Sequence, residues 1–247
     1  MDFTTEKYNE LLIALNHHRN YRIRHDVDLR PEFALRIAGI EQVAGVESTY
    51  YFRAMHFESH AELITKIHAM GHSIGYHYEN LSTTHGDMEA AYNDFSTNLK
   101  RLREIAPVST ACAHGSPRSP WNNQSMWKPA GERDIHTLGI DYEPMIDTDF
   151  SKTLYLTDTG RRWDGFRVSV RDKVPEQQER WEKEGLIFHS TDDIIHALND
   201  IQHPIHKHSL LINTHPQRWM PFGARWMAEA GLQWGKNIAK RIIVATR

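Results

Sequence analysis

The sequence offers a single cysteine, Cys112, so the chain cannot close a disulfide on itself. It has no apolar run near the roughly 20 residues of a membrane-spanning helix. Its first residues, Met-Asp-Phe-Thr-Thr-Glu-Lys, lack a basic stretch followed by an apolar one, so no signal peptide is read there. Charge of one sign is also scarce. A formal net charge of -3 and a mean hydropathy of -0.61 give no sign of a nucleic-acid or membrane-surface partner. Repeats, low-complexity tracts and domain boundaries are missing. The 247 residues are therefore expected to form one domain, residues 1–247, with enough chain to bury a core. Together these absences favour a cytoplasmic location.

What is abundant is histidine, at 17 residues, which directs attention to metal sites. The chain is organised around residues 22–28, Arg-Ile-Arg-His-Asp-Val-Asp. As a strand, this stretch puts Arg24, Asp26 and Asp28 on one face and Ile23, His25 and Val27 on the other. Two carboxylates so close need a positive partner. A divalent metal is one candidate and Arg24 is the other.

Helical spacing of apolar residues is read at 6–18, 31–44, 87–102 and 223–240, and in the segments that follow Ser59 and Thr191. Strands are expected at 22–28, 48–53, 73–79, 108–113, 138–143, 153–157, 166–170, 185–189 and 209–214. Such alternation implies an α/β fold with parallel strands and helices outside. Polar residues at the carboxyl ends of those strands should then converge on a site. Four ends carry chemistry: Asp26 and Asp28; His77 and Glu79 in Gly-His-Ser-Ile-Gly-Tyr-His-Tyr-Glu; His114 in Cys-Ala-His-Gly-Ser-Pro; and His215 in Leu-Leu-Ile-Asn-Thr-His-Pro.

The order Asp-x-Asp, Gly-His-x-Ile-Gly-x-His, a Pro turn and apolar-Thr-His-Pro resembles the NodB-homology polysaccharide deacetylases, carbohydrate esterase family 4, over about residues 22–216. The resemblance implies a distorted (β/α) barrel of about seven parallel strands. It implies one divalent metal, often zinc, and hydrolysis of an N-acetyl group from an amino sugar. Carried over by position, Asp26 becomes the general base, Asp28 and His77 metal ligands, and His215 the general acid. Three departures are visible. Val27 separates aspartates that are usually adjacent. Leu81 stands where the family has a second histidine, so His114 is the first substitute ligand, with Glu79, His85 and His72 in reserve. The usual arginine of the Pro-containing motif is absent, which leaves Arg24 to orient Asp26.

Residues 157–164, Thr-Asp-Thr-Gly-Arg-Arg-Trp-Asp, partly resemble the family's fourth motif, with Asp158 supporting the site. Arg161 and Arg162 offer donors for a carboxylate or phosphate. Trp163 and Tyr78 offer faces on which a sugar could stack, as do Trp121 and Trp219. Glu79 is a further substrate-binding candidate. The expected substrate is an amino sugar, nucleotide-linked or lipid-linked, on the way to a surface polysaccharide. The rival readings are hydrolysis of another C–N bond, in a formamide or cyclic amide, and a non-catalytic carbohydrate-binding barrel.

Overall fold

The computed structural model describes residues 1–128, 133–167, 169 and 171–245. Six strands form its centre: β1 Tyr21–Val27, β2 Thr49–Phe52, β3 Ser73–Tyr78, β4 Ala111–Ala113, β5 Thr153–Thr157 and β6 Ser209–Thr214. All pair in parallel, in the order β4-β3-β2-β1-β6-β5. The sheet curls into a half-barrel, open between its edge strands β4 and β5. Around it lie α1 Thr5–Leu15, α2 Pro31–Ala44, α3 Ala61–Ala69, α4 Asn80–Thr83, α5 Met88–Arg103, α6 Pro144–Asp147, α7 Pro175–Lys183, α8 Thr191–Asn199 and α9 Ala224–Ala245. The expected α/β architecture with parallel strands is what the chain adopts.

The local reasons are plain. Thr4 caps α1 by accepting from the Lys7 amide, and Tyr8, Leu11, Leu12 and Leu15 form its buried stripe. Asp87 caps α5 by accepting from the amides of Glu89 and Ala90. Ala91, Phe95, Leu99 and Leu102 then face inward, and the Phe95 ring meets Trp127 and Tyr78 edge-on. β6 reads Leu210-Leu211-Ile212 without alternation, as a strand covered on both faces does. Gly75 in β3 is required. A Cβ there would stand 2.4 Å from the Tyr51 ring.

Three expected strands do not form among the described residues. In 138–143, Gly139 closes a 3-10 turn at Ile135–Leu138 and Pro144 opens α6. Room remains for only one bridge, Thr110 with Tyr142. In 166–170, a 3-10 turn covers Gly165–Arg167, and residues 168 and 170 lie outside the described residues. In 185–189, Gly185 follows the end of α7 and Ser190 caps α8. Leu186 and Phe188 alternate inward there but join no strand. The sheet therefore has six strands where about seven were expected.

Candidate active site

The carboxyl ends of β1, β3, β4 and β6 open onto one cleft of about 380 Å³, whose lining includes Arg24, Asp26, Asp28, His77, His114 and His215. Parallel pairing places these ends side by side. Arg24 of β1 is level with Asn213 of β6, and His77 of β3 with Cys112 of β4.

Asp28, His77 and His114 bring their ligand atoms within 4.8 Å of one another. Asp28 Oδ1 lies 3.3 Å from His77 Nε2 and 3.6 Å from His114 Nε2. Donors about 2.0–2.1 Å from a tetrahedral zinc stand roughly 3.3 Å apart, so this spacing fits such an ion. Asp28 Oδ1 is buried and accepts no hydrogen bond. Both rings are turned to present Nε2. His77 Nδ1 donates to the Cys112 carbonyl at 3.0 Å, and His114 Nδ1 lies 2.9 Å from Glu79 Oε2. A carbonyl or carboxylate behind each imidazole is what orients histidine ligands. Glu79 is itself held by Arg53, whose Nε and Nη2 donate at 2.9 and 2.7 Å. Burial would raise the Glu79 pKa, but His114 and Arg53 hold it at about 2. Burial likewise opposes charge on Asp28, and the nearby His114, His77 and His215 keep its carboxyl well below the usual range.

A second trio, Asp26, His77 and Cys112, is also close. It suits a metal less well. Burial pushes the Cys112 thiol far up, and Arg24 Nη1 lies 2.6 Å from its sulfur. A thiol held protonated is a poor ligand.

Asp26 is held by one oxygen only. Its Oδ2 accepts from Arg24 Nη2 at 3.2 Å and Asn213 Nδ2 at 2.9 Å. Its Oδ1 is buried and accepts nothing. His215 has Nδ1 2.6 Å from Asp158 Oδ1, and its Nε2 is 3.8 Å from Asp28 Oδ2. Asp158 is fully buried and accepts as well from the His215 amide, Arg218 Nη1 and Trp219 Nε1. Burial works against its charge, yet Arg218 and His215 bring its pKa down to about 2. The two sides of the cleft thus differ. One offers a bare carboxylate oxygen, and the other an imidazole backed by an ionised carboxylate.

The substrate-binding candidates of residues 161–163 do not line this cleft. The Arg161 guanidinium lies over the Trp226 ring, 4.5 Å from its centroid. Arg162 pairs with Asp164 at 2.6 Å. Trp163 is buried, donates to Thr191 Oγ1 and packs on Phe3 and Trp219. Tyr78 is fully buried and donates to Glu143, so its ring is closed to a sugar. Trp219 is buried too, and Trp121 lies against Gly86. Glu79 backs His114 and is absent from the cleft lining. Of the reserve ligands, His72 sits at the far end of β3, bonded to the Ala38 carbonyl, and His85 is exposed.

Sequence reading assigned no role to Asn213, Arg53, Tyr155 or Asp172. Asn213 was within reach, since it lies two residues before His215 on the same strand face. Asp172 carried no signal. It accepts from Thr157 Oγ1 at 2.7 Å and from the hydroxyls of Tyr155 and Thr159, partners that only the fold assembles.

No protein-family model matches this chain, and no curated protein does. Solved structures do. A CE4 esterase from Streptococcus mutans aligns with a TM-score of 0.48 at 12% identity, over 97% of this chain and 88% of that one. A family 4 carbohydrate esterase from Bacillus anthracis aligns at 0.45 and 11%, over 94% and 86%. One from Streptomyces lividans, in complex with acetate, aligns at 0.45 and 12%, over 90% and 89%. A CE4 family pseudoenzyme from Bacillus anthracis aligns at 0.44 and 10%, over 90% and 62%. At these identities the likeness concerns the path of the chain. What the cleft can do follows from its own side chains.

Proposed function

We propose that this chain is a metal-dependent amide hydrolase that removes the N-acetyl group of an amino sugar. The observation that carries the reading is the convergence of Asp28, His77 and His114 beside a carboxylate, Asp26, with a bare buried oxygen. Asp28, His77 and His114 would hold a divalent metal, which when bound polarises an amide carbonyl and makes water more acidic. Asp26 accepts the proton of the attacking water at Oδ1. Arg24 and Asn213 fix its other oxygen, so the carboxylate does not turn away. His215, protonated, gives its Nε2 proton to the departing amine nitrogen. Asp158 keeps the proton of Nδ1 in place and stabilises the imidazolium, as a buried carboxylate behind a catalytic histidine does.

The sugar part of the reading rests on the resemblance of the motifs. Lys173 lines the same cleft and supplies an ammonium suited to the phosphate of a nucleotide-linked or lipid-linked precursor of surface polysaccharide.

The test is elemental analysis of the purified protein, followed by release of acetate from N-acetylated sugars. The expectation is about one metal per chain in wild type and loss of metal in both His77→Ala and His114→Ala. Asp26→Asn should keep the metal and lose at least about a hundredfold in rate. Activity on formamides but not on N-acetyl sugars, or a metal-free wild type after reconstitution, would overturn the assignment.

A further inference from the structure

The two groups that hold Asp26 meet a second time. Arg24 Nη2 and Asn213 Nδ2 both donate to Asp26 Oδ2, and both also donate to the Tyr155 hydroxyl, each at 3.1 Å. Tyr155 reaches this point from β5, and all four side chains are buried. A hydroxyl has one hydrogen and two lone pairs. Arg24 and Asn213 take both lone pairs, so the hydrogen must go elsewhere. It goes to Asp172 Oδ1. Asp172 Oδ2 accepts from Thr157 and Thr159, so neither oxygen of this carboxylate is bare.

Asp172 lines the same cleft as Asp26, yet the two carboxylates are not equivalent. Asp26 has a bare buried oxygen and Asp172 has none, so Asp172 is no rival base. What it supplies is direction. An ionised carboxylate only accepts. Burial opposes charge on Asp172, but Arg24, His215 and the hydroxyls of Thr159 and Tyr155 keep its carboxyl below the usual range. Tyr155 must then donate to Asp172 and can only accept from Arg24 and Asn213. Asn213 in turn must present its amide nitrogen, not its oxygen, on the side of Asp26. Asn213 Oδ1 is buried with no hydrogen-bond partner among the described residues, so the amide is held through Nδ2. Arg24 Nε is equally bare, and its guanidinium is held at its two tips. The segment that carries Asp172 also reaches both edges of the open sheet. Arg171 donates to the carbonyls of Gly115, Ser116 and Ser119 in the loop after β4, while Asp172 binds Tyr155 and Thr157 of β5. We propose that Asp172 is a positioning residue: through the Tyr155 hydroxyl it fixes Arg24 and Asn213, and so holds Asp26 with Oδ1 free to take a proton from water. This rests on the reading of Asp26 as the general base.

The test compares Tyr155→Phe and Asp172→Asn with wild type and reads structure as well as rate. Asp172→Asn removes no volume, which covers the case in which the buried Tyr155 change unsettles the fold. A crystal structure of either variant should show the Asn213 amide or the Asp26 carboxylate turned, with at least one bond to Oδ2 lost. In acetate release, both variants should lose about tenfold to a hundredfold in kcat. KM and metal content should stay within about twofold of wild type. In an Asp26→Asn background, Tyr155→Phe should cost less than about twofold more, because a residue that acts through Asp26 has nothing left to position. Asp26 unmoved with both bonds kept would overturn the proposal. So would wild-type kcat in both variants, or a loss in the Asp26→Asn background as large as in wild type. If wild type releases no acetate, the deacetylase reading fails, and the crystal structures still decide the positioning.

Discussion

Asp158 shows how a single residue gains its role from its surroundings. It is ionised, buried and shared among His215, Arg218 and Trp219. Its folded pKa of about 2 lies below the ordinary 3.8. A depressed carboxylate contributes stability that is fully present above its unfolded pKa and is lost as pH falls towards the folded one. From pH 6 to pH 3 that loss comes to about 1 kcal/mol. Denaturant unfolding at both values should therefore show wild type losing about 1 kcal/mol more than Asp158→Asn. Equal losses in the two proteins would mean that Asp158 is not held ionised. Much of the candidate site was legible residue by residue, because Asp26, Asp28, His77, His114 and His215 all end expected strands. The supporting partners were not. Arg53 is 26 positions from the Glu79 it holds, and Asp172 is 15 from Thr157. Nothing in local spacing announces such pairs. The arginines and tryptophan of 161–163 misled for a related reason, since side chains fit to bind a ligand can equally serve α9, a neighbouring aspartate and the core.

Among the elements, the sheet was legible where strands are buried on both faces and lost where turns leave too little chain to pair. The alternation of β1 also separates two networks. Arg24 and Asp26 face the cleft, while His25 faces α2. There Glu41, with no exposure, accepts from the hydroxyls of Tyr8, Ser48 and Tyr50 at 2.5–2.6 Å, and its Oε1 lies 2.8 Å from His25 Nε2. His25 Nδ1 in turn lies 2.6 Å from Thr214 Oγ1, next to His215. One carboxylate thus ties α1, α2, β1 and β2 together, and through His25 reaches β6. Burial opposes its charge, but His25 and the hydroxyls bring its pKa down. Removing one member of such a group leaves the others buried and unpaired. Glu41→Ala should therefore cost on the order of 3–5 kcal/mol in urea unfolding. A loss under about 1 kcal/mol would show that the network is not held in the folded chain.

At the scale of the whole molecule, the candidate centre is a bridge across the sheet. Asp28 follows β1, His77 ends β3 and His114 follows β4, so a metal held by all three would link strands that are not all direct neighbours. His215 reaches the same point from β6 on the other side of β1. β1, β3 and β4 cannot separate without dispersing the ligand set, and the unfolded chain holds nothing equivalent. A metal that binds only the folded form stabilises it in proportion to the logarithm of its concentration over the dissociation constant, about 2.7 kcal/mol at a hundredfold excess. For a chain of this length that corresponds to a rise of roughly 5–10 °C in the unfolding midpoint. Calorimetry of metal-stripped protein, with and without added zinc, should show that rise in wild type. His77→Ala and His114→Ala should lose most of it, whereas Asp26→Asn should keep it, because Asp26 stands beside the trio and not within it. A rise of equal size in all four proteins would place the metal elsewhere on the chain.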